Sequence, residues 1–239
     1  MSDRPHVTVY NEISLDGKIS GFDMMPGRYY ERGFRWPSDA ILMGGVTAEA
    51  FGPMESIEER RQRLPVPETV DLPPGFETLV SDPRPMLVVP DSRGRLHNWL
   101  HARRQPWYGR IVALVCADTP TDYLKHLDRR GIEHLRAGQH RVDLAVALDV
   151  LYASYGIQSI RTDSGGALNG ALLAAGLVDR IAVILAPRVG SDPEAAGLIR
   201  LPQRAESAAT LSLVECELLD DGAVWLVYDV VRPALPGVP

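Results

Sequence analysis

Apolar positions along the chain fall in short runs, and the spacing inside each run names an element. His6–Ile13 (HVTVYNEI) alternates apolar and polar residues as a half-buried strand does, and Ser14-Leu15-Asp16-Gly17-Lys18 follows as a turn. Arg28–Phe34 reads as a short helix. Asp39–Gly44 (DAILMG) reads as a compact buried strand, with Gly44-Gly45 opening a helix over Val46–Phe51. Met86–Val89, Ile111–Cys116 and Ile132–Arg136 are further strands, the first ending in Pro90-Asp91-Ser92-Arg93-Gly94-Arg95. Thr121–Arg130 reads as a helix capped by Thr119 or Thr121 and closed by Gly131. Asp143–Tyr155 is a strongly amphipathic one, with Leu144, Leu148, Leu151 and Tyr152 in one stripe.

The signals are densest from Gly156 to Gly190. A short strand with Ile157 and Ile160 breaks into Asp163-Ser164-Gly165-Gly166 and continues as a helix from Ala167 to near Gly176, and Val178–Pro187 is a deeply buried strand. Such a strand-glycine-helix junction presents free backbone N–H groups and a positive dipole end, which suits a phosphate. Leu211–Leu219, Asp220-Asp221-Gly222 and Ala223–Val231 form a hairpin signature. The alternation of strands and helices predicts a largely parallel sheet with right-handed crossovers, closed by that antiparallel pair. Residues 52–85 break the rhythm: they are rich in proline, carry the charge run Glu58-Glu59-Arg60-Arg61 and a possible helix around Ser56–Leu64, and read as an insertion serving as lid, partner-binding arm or mobile loop.

Composition narrows the class. A chain of 239 residues without a linker is read as one large domain, 1–239, able to bury its core without staples. The net charge of −6 argues against nucleic acid and for a small-molecule partner. Cys116 and Cys216 lie far apart with no Cys/His cluster, so no metal site is expected and a reducing cytoplasm fits. No long apolar segment is present, so no membrane partner is expected.

Neither a P-loop nor a GxGxxG fingerprint occurs, and no GxSxG elbow. On the residues alone, Asp16 and Lys18 read either as a surface turn or as ionisable groups at a ligand-bearing sheet edge, and Ser92-Arg93-Arg95 either as a solvated loop or as a grip for a ribose phosphate. Taken in order, however, Ser14-Leu15-Asp16-Gly17-Lys18-Ile19, Asp39–Gly44 with Thr47, Asp91-Ser92-Arg93 with Arg95, and Gly165-Gly166-Ala167-Leu168-Asn169 through Gly176-Leu177-Val178-Asp179 to Ala186-Pro187 resemble the C-terminal reductase domain of the riboflavin-biosynthesis deaminase–reductase RibD and its stand-alone relatives.

The resemblance implies a dihydrofolate-reductase-like three-layer α/β/α fold, NADPH as hydride donor and a homodimer. It implies reduction of a pyrimidine ribosylamine phosphate to the ribityl compound by hydride transfer to C1′. The zinc-deaminase HxE and PCxxC motifs are missing, so no deaminase activity is expected. By position, Gly165, Gly166, Ala167 and Leu168 cradle the pyrophosphate, Gly44 and Thr47 lie along the cofactor, and Ser92, Arg93 and Arg95 meet the adenosine 2′-phosphate. Asp16 and Lys18 border the substrate, with Lys18 first in line for proton relay, and Arg35 matches an arginine that meets the substrate phosphate.

Three departures stand out. The family turn Glu-Gly-Gly is here Asp163-Ser164-Gly165-Gly166, which adds Asp163 to the catalytic candidates and Ser164 to the cofactor-binding ones. The family's Asp-Asp-Pro-Arg-Leu-Thr segment is replaced by Ala50-Phe51-Gly52-Pro53-Met54-Glu55. Glu12 stands where many relatives have a small residue, and is a candidate for recognising a substrate amino group. These edits keep two alternatives open: a same-fold reductase of another C=N or C=C compound, such as a pterin, and a non-catalytic nucleotide-binding dimer.

Overall fold

A computed structural model describes residues 4–63, 70–74, 80, 83–203 and 209–231. Nine strands and seven helices occur among them, and the chain sorts into two compact units, Tyr30–Asp163 and His6–Tyr29 with Ser164–Pro239. Helix α1 (Pro26–Arg35) runs across the boundary in sequence.

In the first unit, strands β2 (Ala40–Leu42), β3 (Met86–Pro90), β4 (Ile111–Val115), β5 (Glu133–Arg136) and β6 (Ser159–Thr162) pair in the order β5-β4-β3-β2-β6, every pair parallel. All five residues of β4 are buried, which explains why the strand reads as an unbroken apolar run. Between these strands lie α2 (Gly45–Ala50), α3 (Ile57–Arg61), α4 (Trp99–Arg103), α5 (Thr121–Arg129) and α6 (Leu144–Tyr155). Asp143 caps α6 by accepting from the amides of Ala145 and Val146, and Gly156 closes it in the left-handed conformation at φ 70°.

Two local expectations are corrected here. Helix α5 is not capped by a threonine; Pro120 holds the cap position, and the Thr119 hydroxyl accepts from the Cys116 amide (3.0 Å) and donates to the Ser92 carbonyl (3.0 Å), tying the end of β4 to the loop after β3. Helix α4 was not foreseen, because five residues are too few to show a period; buried Trp99, Leu100 and Ala102 hold it by packing.

The insertion begins in an anchored form. Ser56 and Glu59 make a capping box on α3, and Glu55, 5% exposed, accepts from Arg130 Nε (2.8 Å) and Nη2 (2.6 Å). Arg130 is 1% exposed and also donates to the Gln62 and Glu59 carbonyls, so α3 is bound to the end of α5. Helix α3 stops at Arg61, short of the expected Leu64, because Gln62 is extended at ψ 148°; residues 64–69, 75–79 and 81–82 of the insertion lie outside the described residues.

The second unit pairs β1 (His6–Ile13), β7 (Arg180–Leu185), β9 (Val224–Val231) and β8 (Thr210–Leu218) in the order β1-β7-β9-β8, parallel at β1/β7 and antiparallel in the other two pairs. Its helix α7 (Gly166–Ala174) follows the glycine turn. The fold is therefore mixed α/β, mainly parallel, with the antiparallel hairpin at its C-terminal end. Strand β1 differs from its half-buried expectation: residues 7–12 are all buried, including the polar Thr8, Asn11 and Glu12. A fully buried polar position needs a partner, and those partners build much of the site.

Candidate active site

The glycine turn is held from beneath by two buried amides. The Ser164 carbonyl accepts from Asn11 Nδ2 (2.8 Å) and Asn169 Nδ2 (2.9 Å), and Asn169 also donates to the Leu198 carbonyl (3.0 Å). Ser164 is itself buried, at 1% exposure. Gly165 is the N-cap of α7 and supplies no side chain, so the amides of Gly166, Ala167 and Leu168 have no partner among the described residues. Three free N–H groups at the positive end of a nine-residue helix make an anion seat. Gly166 has a second reason to be glycine. A Cβ there would lie 2.5 Å from the Gly197 carbonyl oxygen, and the Arg200 amide donates to the Gly166 carbonyl at 2.9 Å. Segment 197–201 is thus strapped onto α7, a feature with no signal in the sequence pattern.

The turn after β1 is organised by its own polar atoms. Ser14 Oγ donates to Asp16 Oδ1 (2.7 Å) and accepts from the Lys18 amide (3.0 Å), while the Gly190 amide donates to the same Asp16 oxygen (2.8 Å). The Gly190 amide and the Ser14 hydroxyl hold the Asp16 carboxyl below its usual range. Lys18 Nζ donates to the carbonyls of Pro193 (3.0 Å) and Ala195 (2.8 Å), so the amine is positioned by the loop that leads into the 197–201 strap. Glu12, 0% exposed, pairs through Oε1 with Arg28 Nη2 at 2.7 Å, and Arg28 also pairs with Asp221 in the hairpin turn. Glu12 Oε2 has no hydrogen-bond partner among the described residues.

In the first unit, Gly44 caps α2, and Thr47 lies half-buried in that helix's first turn. Arg93 and Arg95 are exposed beyond the carboxyl end of β3, without a partner among the described residues. Ser92 Oγ accepts from the Val142 amide at 2.9 Å, so this hydroxyl first of all joins two loops. Asp163 receives both Arg161 Nε (2.8 Å) and Nη2 (3.0 Å), a bidentate pair that fixes the carboxylate, and Arg161 also donates to the Gly33 carbonyl. Arg35 ends α1, and its side chain lies outside the described residues.

Sequence reasoning missed Arg161, Asn11, Asn169 and Arg28. For Asn11, Arg161 and Asn169 a polar residue inside a strand or an otherwise apolar helix was the available signal; Arg28, in the polar helix α1, carried none. No group of metal-ligating side chains occurs among the described residues, and none of their helices is long and apolar enough to cross a membrane.

The fold is a mixed α/β sheet, mostly parallel, with a C-terminal antiparallel hairpin. It is shared with a pyrimidine reductase-like protein from Corynebacterium diphtheriae, at a TM-score of 0.68 and 19% identity over 96% of this chain and 93% of that one. The RibD C-terminal domain family matches residues 5–225, and the chain belongs to that family, as an oxidoreductase. It is 30% identical over 204 residues to the 2,5-diamino-6-ribosylamino-4(3H)-pyrimidinone 5′-phosphate reductase of Methanothermobacter thermautotrophicus, covering 82% of this chain and 84% of the relative. A second reductase of that name, from Aquifex aeolicus, is 25% identical over 191 residues, covering 77% and 78%. Family membership implies a nicotinamide cofactor.

Proposed function

We propose that the chain, acting as one reductase domain, uses NADPH to reduce a pyrimidine ribosylamine phosphate, either 5-amino-6-(5-phosphoribosylamino)uracil or its 2,5-diamino-pyrimidinone counterpart, to the ribityl product. The observation that carries this reading is that both curated relatives, aligned over more than three quarters of the chain, are named as reductases of the diamino compound. NADPH fits the residues present: the three amides of α7 that have no partner among the described residues suit its pyrophosphate, and the exposed Arg93 and Arg95 suit its 2′-phosphate. Gly44, Thr47, Ser92 and Ser164 complete the cofactor-binding set.

When bound, NADPH supplies the hydride for C1′ of the ring-opened imine. The nitrogen of that C=N bond must gain a proton in the same reduction. Lys18, held by two carbonyls, is assigned as its donor. Asp16 orients the Lys18 turn through Ser14. Asp163, clamped by Arg161, presents a fixed acceptor for a substrate N–H group, and Glu12 Oε2 and Arg35 serve substrate recognition.

One observation favours a second reading. Where relatives carry Asp-Asp-Pro-Arg, Phe51 packs against the His101 ring (5.6 Å between centroids) and the Tyr108 ring (6.3 Å). An apolar plug at that position suits a different C=N or C=C substrate. Loss of absorbance at the reduced-nicotinamide band separates the readings. Oxidation of NADPH on adding the ribosylamine phosphate is expected. Oxidation by a pterin alone supports the second reading, and NADPH that binds but is never oxidised supports a non-catalytic protein.

We assign a homodimer as well, because all nine residues of β8 are exposed, including Leu211, Leu213, Val214 and Leu218. An apolar edge strand of this kind is covered in stable proteins. A monomer in sedimentation equilibrium contradicts the assignment. The exposed free thiol of Cys216 fits the cytoplasm.

A further inference from the structure

The cofactor residues assigned in the first unit lie at the carboxyl ends of its parallel strands. At the amino ends of the same strands is a hollow of about 990 Å³, at the upper end of the range usual for small-molecule sites. Met86, Ile111 and Ile157, all buried, give it an apolar floor. Three arginines line it, and their hydrogen-bonding capacity is only partly used. Arg84 gives one nitrogen to the Val70 carbonyl (2.6 Å), and Arg110 pairs with Glu133 (2.5 Å) and lies 4.9 Å above the Tyr155 ring. Arg103 is half-buried in the lining and has no partner among the described residues.

The carboxylates near the hollow are already engaged. Asp39 Oδ2 accepts from the amides of Gln158 and Ser159 (2.8 Å each) and from Ser159 Oγ (3.0 Å), and Glu133 is held by Arg110 and by the Tyr155 hydroxyl. Three guanidinium groups against these two carboxylates leave an excess of positive charge at the rim.

We propose that this hollow is a second small-molecule site, taking a ligand with a flat apolar body and one anionic group, seated on Met86, Ile111 and Ile157 with its anion on Arg103 and Arg84. Phosphate and carboxylate share that chemistry. Strand β3 runs from Met86 in the floor to the loop carrying Arg93 and Arg95, about 17 Å along the strand at ~3.3 Å per residue, so an occupant does not reach those arginines.

Fluorescence titration of the whole protein with anilinonaphthalene sulfonate, a flat apolar anion, tests the site, with neutral phenylnaphthylamine as the control probe. The expected result is saturable binding with one probe per chain, weakened about tenfold by Arg103→Gln and further by Arg103→Glu, as fits a lost charge-assisted contact. Binding of the neutral probe is weak in every form, and Arg93→Glu/Arg95→Glu leaves the anionic probe's affinity unchanged. Competition by AMP and by benzoate then ranks phosphate against carboxylate. The proposal is overturned if both Arg103 variants, folded by circular dichroism, bind the anionic probe as tightly as the parent. It is equally overturned if the neutral probe binds as well, or if the Arg93/Arg95 variant is the one that loses binding.

Discussion

Arg93 and Arg95 carry the sharpest assignment at the scale of single residues. Both guanidinium groups are exposed and have no partner among the described residues, so replacing them removes little structure. Each charge-assisted contact to a 2′-phosphate contributes about 1.5–3 kcal/mol. Arg93→Ala and Arg95→Ala are therefore each expected to raise KM for NADPH by roughly tenfold or more while leaving NADH almost unaffected. Equal losses for the two cofactors in steady-state assays contradict the assignment. These exposed arginines could be read from sequence because they stand beyond a clear strand. Arg161 could not, since its meaning depends on Asp163 and on the Gly33 carbonyl, which lies 128 positions away along the chain. Glu12 was legible as unusual but not as paired, because Arg28 reaches it from a different element.

Elements were legible wherever a period had room to show. The buried strands β3 and β4, helix α6 and the C-terminal hairpin all follow from residue pattern. Helix α4 and the 197–201 strap do not, because tertiary contacts hold them. Gly170 records that strap: a Cβ there would fall well inside contact distance of the Arg200 carbonyl oxygen, which is backbone and has little room to yield. Gly170→Ala is expected to destabilise by about 1–3 kcal/mol through overpacking, despite the better helix propensity of alanine. Gly27→Ala, in α1 with nothing within 4 Å of the new methyl, is expected to be neutral or stabilising. Thermal melts of the two variants check the contrast, and equal Tm values contradict the close approach at α7.

The pH dependence of stability belongs to the whole molecule. His97 and His126 stack edge to face at 4.8 Å between centroids, and His126 Nδ1 and Nε2 and His97 Nδ1 are buried without hydrogen-bond partners among the described residues, with Glu55 Oε2 3.8 Å from His126 Nε2. Burial lowers both imidazoles, His126 to about 4, although Glu55 opposes the shift. Arg60, Arg129, Arg130 and Asp91 also act on the pair. With folded values below the unfolded ones, the unfolded chain takes up protons first as pH falls. Stability is therefore full above the ordinary histidine range and declines from pH ~6.5 towards ~4. Tm measured across that window is expected to fall, and His126→Leu to flatten the decline; the same slope in parent and variant contradicts this cause.

The proposed reaction is hydride transfer to C1′ of a pyrimidine ribosylamine phosphate. NADPH deuterated at the transferring position, incubated with that substrate and the native protein, tests it most directly by mass spectrometry and NMR of the product. A ribityl product with one deuterium, at C1′, is expected. Unlabelled product, or deuterium at any other carbon, contradicts it.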